Sequence, residues 1–293
     1  MKQIAAIRTN KWTEEEDRLL ITLKAFFGED VVIVFHNREN AIDAPIDVID
    51  ISNEWLDSAE LRNVPDWGWR CGDYFYYRLR EAKPEYDYYW LIEPDVFFEG
   101  PCQTFFERFS DSTEDALGLN VQEMTNKESL FLRGVDYGRP MRAVFALTRL
   151  SGALIDELYS LRAQMSKLDI RPRMFPNDEI HVFSNACDDN RFNVGLLEDY
   201  AEDLICEEFF RTDPSMLLDF ENEKKGLEKG YVRHPVLPRN AFISKVGKRI
   251  AQRPGLIKTL KRELQFLTSQ ELDLVAQAAQ ARIREHLKVN TGK

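Results

Sequence analysis

The chain lacks any apolar run approaching the roughly 18 residues that a membrane-spanning helix requires, so its 293 residues offer no transmembrane candidate. It also lacks a CxxC pair. Its four cysteines, Cys71, Cys102, Cys187 and Cys206, are scattered, which argues against a zinc site and for reduced thiols in a cytoplasm. Repeats and low-complexity tracts are absent, which excludes a solenoid or a linker protein. Positive charge is in deficit: the formal net charge is −11, which disfavours non-specific binding to nucleic acid. The N-terminal "MKQIAAIRTNKW" is too short to contain the apolar core of a signal peptide and reads better as a first strand.

What is present is an alternation of apolar runs and helical patterns. "QIAAIRT" (3–9) is a strand pattern, followed by the helix "TEEEDRLLITLKAFF" (13–27), where Thr13 and Glu16 form a capping box. "VVIVFHN" (31–37) and "DVIDIS" (47–52) are β-branched strands, "GDYFYYRLREA" (72–82) is a second helix, and "YYWLIEPD" delivers the next strand. Further on, "MRAVFALTRLSGALIDELYSLRAQM" reads as a strand running into a helix, and "FPNDEIHVFSNAC" as a helix whose first turn carries Asp178 and Glu179. This alternation predicts an α/β fold with a mostly parallel, Rossmann-type sheet flanked by helices. Such sheets bind ligands beyond the carboxyl ends of their strands. Composition changes after Pro238: residues 239–262 hold eight basic residues and no acidic one. A helical tail is expected there, so the chain divides into a domain at 1–238 and a basic helical extension at 239–293.

The chemistry concentrates in "YDYYWLIEPDVFFEG" (86–100). Residues i and i+2 of a strand point to one side, so Glu93 and Asp95 can face a single ligand. Two such acids repel unless a cation sits near them, and a divalent ion accepts oxygen ligands while leaving positions open for phosphate. Pro94 marks the strand's end. A solvated acidic loop is the bland alternative, but the apolar lead-in "YYWLI" fixes the acids at a strand tip.

An apolar strand ending in acid-x-Asp after three β/α units resembles the DxD strand of GT-A-fold glycosyltransferases. The segment "WGWRCGDYFYYRLREAKPEYDYYWLIEPDVFFEG" (67–100) is similar to bacterial polysaccharide-type members. The resemblance covers residues 1–100, extends more weakly to about 235, and does not reach the tail. It implies a GT-A-like fold and a UDP- or GDP-sugar donor whose diphosphate is bridged to Asp95 through Mn²⁺ or Mg²⁺. Glu93 stands where the family's first Asp usually sits, which implies a role through water or a sugar hydroxyl. His234, in "YVRHPV", occupies the region where many members return a late ligand to the metal, against the plain reading of a packed imidazole. "FPNDEIHVF" resembles the acidic motif of the acceptor side, where one carboxylate removes the acceptor hydroxyl's proton; Asp178 and Glu179 both qualify, and both also suit a helix N-terminus. His181 reads as structural. Arg8, Thr9 and Asn37 end the first two strands, where the resemblance places base and ribose. Asp73 is a candidate for base or ribose and equally a helix cap, and Arg70 is a candidate for the diphosphate.

These readings converge on a cytoplasmic, metal-dependent, hexosyltransferase-like enzyme that acts on a glycan or lipid-linked acceptor in surface polysaccharide synthesis, with inversion. The basic stretch is either a solvated helix face or a peripheral contact with the inner membrane face; nucleic acid is disfavoured because only Phe242 interrupts it as a stacking platform. Two other readings compete. One is a non-catalytic nucleotide-sugar or glycan binding protein of the same fold. The other is a nucleotidyltransferase, which ranks last because "RTNKWTEEED" has no glycine for the phosphate loop.

Overall fold

A computed structural model describes residues 1–36, 42–124, 129–219, 231–252 and 260–290, with side chains in the last stretch described to 284. Asn37 therefore lies outside the described residues. Seven strands form the main sheet: β1 (Gln3–Thr9), β2 (Val31–Phe35), β3 (Val48–Asp50), β4 (Tyr88–Ile92), β6 (Ala116–Glu123), β7 (Met141–Ser151) and β8 (Val194–Leu196), in the order β3-β2-β1-β4-β7-β6-β8. β7 alone runs against the rest, pairing antiparallel with β4 and β6. The expected mostly parallel α/β sheet, flanked by helices and followed by a helical C-terminal segment, is what the chain forms.

Period-two side-chain alternation explains why the central strands read as unbroken apolar runs. Tyr89 and Leu91 of β4 pack into one core with Ile4 and Ala6 of β1, while Trp90 and Ile92 pack with Ala5 and Ile7 into a second core on the opposite face. The first core is covered by α2 (Asn53–Ser58), α4 (Asp73–Ala82), α6 (Gly152–Ser166) and α7 (Asp178–Asp188). The second is covered by α1 (Glu14–Phe27), α5 (Gln103–Phe106) and α8 (Leu197–Ala201). α1 starts at Thr13, where both halves of the expected capping box form.

The registers Ile7↔Ile33 and Ile7↔Ile92 bring β1, β2 and β4 to one edge together. Arg8, His36 and Glu93 therefore emerge side by side. Two short pairings return the later chain to this edge: β5 (Phe97–Phe98) with β10 (Val232–Arg233), and β9 (Met216–Leu217) with β11 (Val236–Leu237). Beyond them the helix Arg239–Gln252 lies on the helix Ser269–Asn290 around a third core that includes Leu217, Leu237, Phe242 and Val275. Gly247 permits that contact, since any side chain there would collide with Ala278 and the Val275 carbonyl.

One ion pair is sealed inside. Asp73 and Arg162 are both fully buried and joined at 2.6 and 2.9 Å. Burial alone would push the Asp73 carboxyl up, but the Arg162 guanidinium outweighs it and holds the group below its ordinary value. Arg162 also donates to the Pro176 carbonyl at 3.0 Å, so the pair ties the start of α4 to α6 and to the turn before α7. Arg162→Leu leaves a bare carboxylate in the core and should cost about 3–5 kcal/mol in urea unfolding, whereas Asp73→Leu with Arg162→Leu should cost much less. Equal losses in the single and double variants would show that the pair does not carry this anchoring.

Candidate active site

β4 ends at Ile92, and Pro94 turns the chain so that the Val96 N–H donates to the Glu93 carbonyl at 3.1 Å. The returning segment locks onto this turn, with the Val236 N–H donating to the Asp95 carbonyl at 2.8 Å. His234 is thereby held over both acids: its Nε2 lies 3.2 Å from Asp95 Oδ1 and 3.5 Å from Glu93 Oε2. One ligand atom from each of Glu93, Asp95 and His234 lies within 4.8 Å of the others. The His234 Nδ1 sits 2.8 Å from the Arg211 carbonyl, which assigns the proton to Nδ1 and leaves Nε2 facing the carboxylates. Two carboxylate oxygens and one imidazole nitrogen, anchored from behind, form a donor set that fits a divalent cation.

Without a cation the three groups satisfy one another. Burial works against the His234 imidazolium, but the adjacent Asp95 and Glu93 carboxylates raise its pKa to about 9. Burial likewise raises Glu93 and Asp95, yet Arg8 and His234 draw Glu93 below its ordinary value, and His234 does the same for Asp95.

Arg8, at the end of β1, is the hub behind this cluster. Its Nη1 lies 3.3 Å from Glu93 Oε1 and 3.3 Å from Asp178 Oδ2. Its Nη2 donates to the carbonyls of Gly68 at 3.0 Å and Trp69 at 2.8 Å, within α3 (Trp67–Arg70). A side chain at Gly72 would displace both the Arg8 guanidinium and the Asp178 carboxylate from their present positions. Asp178 is fully engaged: it accepts from the Gly72 N–H at 2.8 Å and the Glu179 N–H at 2.9 Å. Burial raises its pKa to about 6 despite Arg8. Glu179 is half-buried, with only a 3.5 Å contact from Asn177 Nδ2 among the described residues. Burial, and then the charges of Asp178 and Glu93, raise its pKa to about 8.

Three adjoining cavities surround these groups. A cavity of 270 Å³ is lined by Arg8, Lys11, Glu93, Asp95 and Trp69, and one of 70 Å³ by Glu93, Asp178, Glu179 and His234. A third, of 530 Å³, lies over Asn10, His36 and the loop from Asn63 to Trp69. The structure thus brings together Arg8, Glu93, Asp95, Asp178, Glu179 and His234. It places the others differently. Thr9 lines the 270 Å³ cavity, but its hydroxyl donates to the capping carboxylate of Glu16 at 2.7 Å. Arg70 reaches the small cavity while donating to the carbonyls of Pro172 at 3.0 Å and Phe175 at 2.6 Å. Asp73 is not at the site, being sealed against Arg162.

Sequence reading passed over Lys11, Trp69 and Lys245. Lys11, paired with Glu15 at 2.8 Å, and Lys245, on the helix Arg239–Gln252, both contribute positive charge felt by Asp95. Trp69 is 69% exposed yet lines all three cavities. Its signal was the "WGWR" stretch itself, where two tryptophans cannot both face the core across one short helical turn. Within the basic tail, Arg239 pairs with Asp219 and Glu271, and Arg249 with Asp213 and Glu263. Lys248, Lys261 and Arg262 are exposed. Among the described residues no helix is long and apolar enough to cross a membrane.

No protein-family model matches the chain, and no curated protein matches it. Solved structures that align with it include the inositol-1-phosphate CTP transferase from T. maritima, at 13% identity over 67% of this chain and 84% of that one, with a TM-score of 0.39. Mouse xyloside xylosyltransferase 1 aligns at 9% identity over 71% of this chain and 89% of that one, with a TM-score of 0.41. Likenesses this distant carry no argument about activity.

The proton that bridges His234 to the acids must leave before Nε2 can bind a cation. Mn²⁺ affinity measured by calorimetry should therefore rise about tenfold per pH unit up to about pH 9. The proton released on binding should disappear in His234→Gln. An affinity independent of pH over that range would show that His234 is not a ligand.

Proposed function

We propose that this chain is a metal-dependent glycosyltransferase that moves a sugar from a nucleotide-sugar donor to a hydroxyl acceptor with inversion. The observation that carries this reading is the convergence of Glu93, Asp95 and His234 at the carboxyl edge of the parallel strands, beside a cavity flanked by Arg8 and Lys11. A Mn²⁺ or Mg²⁺ ion held by Asp95 and His234, with Glu93 beside it, would supply positive charge against the donor's diphosphate. Arg8 and Lys11 add fixed charge on the same side, and Trp69 offers an exposed ring for the bound donor or acceptor.

The acid pair divides its labour. Asp178 has both oxygens committed to backbone N–H groups and Arg8, so it positions that guanidinium. Glu179 is the base: its carboxylate takes the acceptor hydroxyl's proton as the acceptor oxygen bonds to the anomeric carbon and the bond to the phosphate oxygen breaks. Only ionised Glu179 can do this, so turnover should rise with pH through its pKa, about 8 in the ligand-free protein. The acceptor is a glycan or a lipid-linked sugar of surface polysaccharide synthesis on the cytoplasmic side. Among the described residues of the basic segment, Lys248, Lys261 and Arg262 are exposed and suit an anionic leaflet at about 1 kcal/mol each.

Calorimetry with UDP, GDP, CMP and dTDP, with and without Mn²⁺, tests the donor site. One nucleotide should bind in a metal-dependent way, and Asp95→Ala should abolish that binding. No binding of any nucleotide under either condition would remove the transferase reading. With the matching nucleotide-sugar, Glu179→Gln should lower kcat by about 10²–10⁴-fold; undiminished turnover in that variant would remove Glu179 from the base role.

A further inference from the structure

A fourth cavity, of 380 Å³, lies between α2, the end of α4 and α6, away from the strand-tip cluster. α4 begins at Asp73, next to the Gly72 N–H that donates to Asp178, and Tyr77, Arg80 and Glu81, about 6–12 Å further along the helix, line this cavity. The cavity shares no lining residue with the three at the sheet edge.

Its walls have two characters. Trp55, Tyr77 and Tyr159 supply aromatic faces, the last two with ring centres 5.4 Å apart. Each outer ring is fixed by its polar tip: the Trp55 Nε1–H donates to Glu81 at 2.6 Å, and the Tyr159 hydroxyl donates to the Ala59 carbonyl at 3.1 Å. Tyr159 nonetheless keeps 37% of its surface exposed. The second wall is polar. Arg80 grips Asp156 as a fork at 3.0 and 3.1 Å, and Glu81 is paired with Arg78 at 2.7 Å. Both acids already have their counter-ions, so the wall presents no spare cation to a phosphate and no bare carboxylate to an amine. What it does present is carboxylate oxygens with remaining acceptor capacity, and at most one Nη2–H of Arg80, whose Nη1 is already committed to the Pro84 carbonyl and the Tyr89 hydroxyl.

Preformed aromatic faces opposite a charge-balanced row of donors and acceptors suit a ligand with an apolar face and a hydroxylated rim. We propose that this cavity is a saccharide-binding site, separate from the strand-tip centre, that takes one neutral pyranose unit. The C–H face of the sugar rests on the Tyr159 and Trp55 rings, and its hydroxyls donate to Asp156 and Glu81. In a transferase acting on a glycan, such a site would hold the chain several units from the growing end. Sugar binding itself does not depend on the transferase reading.

Saturation-transfer NMR on the full chain, with methyl glycosides of glucose, galactose, mannose and N-acetylglucosamine as probes, tests the assignment. At least one glycoside should receive saturation from the wild-type protein, whether or not UDP and Mn²⁺ are present, and Asp95→Ala should leave the signal intact. Tyr159→Ala should weaken binding about three- to tenfold. Asp156→Asn, which keeps the shape of the wall, should also weaken it and guards against a folding defect in the first variant. Absence of transfer to every glycoside, a signal displaced by UDP with Mn²⁺, or one unchanged in both variants would overturn the proposal. Nucleotide calorimetry that fails while the glycoside signal persists would remove the transferase reading and leave this site standing.

Discussion

A single buried guanidinium, that of Arg8, holds the sheet edge in its working shape. An arginine taken out of water needs nearly all of its donors satisfied. Arg8 meets that demand by drawing together groups from three parts of the chain: Glu93 after β4, Asp178 at the head of α7, and the carbonyls of Gly68 and Trp69 in α3. Each partner is therefore positioned by the same charge. The Phe75 ring beneath, 4.9 Å from the guanidinium carbon, closes the remaining face. Removing that charge would leave Asp178 with two N–H donors and Glu93 with His234 alone, so the loop, the turn and the helix start would no longer share a reference point.

The same geometry leaves the site short of positive charge. Glu93, Asp95, Asp178 and Glu179 are gathered around Arg8 and His234, four carboxylates to two cations. The cluster responds by retaining protons, on His234 up to about pH 9 and on Glu179 up to about pH 8. The two carboxylates and the imidazole of Glu93, Asp95 and His234 form a donor set that a divalent cation would fit. Exchanging the His234 proton for a divalent ion adds one positive charge to the cluster, which favours ionisation of Glu179. Cation binding and readiness of the proposed base are then thermodynamically linked.

Local signals made much of this legible in the sequence. The capping box at Thr13 and Glu16, the apolar body of β4 with acids at its tip, and the helix opening at Asn177 each depend on residues a few positions apart. Asp73 shows where such reading stops. Its place after a glycine at a helix start looks the same whether it caps, binds a ligand or meets a buried arginine, and its partner Arg162 lies 89 residues away. That Asp178 rather than Glu179 is held by the Gly72 N–H and Arg8 was equally closed to inspection, because both partners lie more than a hundred residues away. Trp69 is the converse case: the "WGWR" spacing shows that one of its two tryptophans must leave the core, and the fold shows which, with Trp67 buried and Trp69 lining three cavities.

The basic segment makes the last point about charge and sequence distance. Read linearly, eight cations without an acid between them suggest an anionic surface. Folded, Arg239 and Arg249 reach acids at 213, 219, 263 and 271, so part of the charge is spent inside the chain. The charge of Lys245 is felt by Asp95. Leu237, just before the segment, lines the 270 Å³ cavity beside Asp95 and also belongs to the third core with Phe242 and Val246. The C-terminal helices and the strand tip are therefore joined through shared apolar contacts as well as charge. Whatever binds between Arg8 and Asp95 meets a wall whose position depends on how those helices pack.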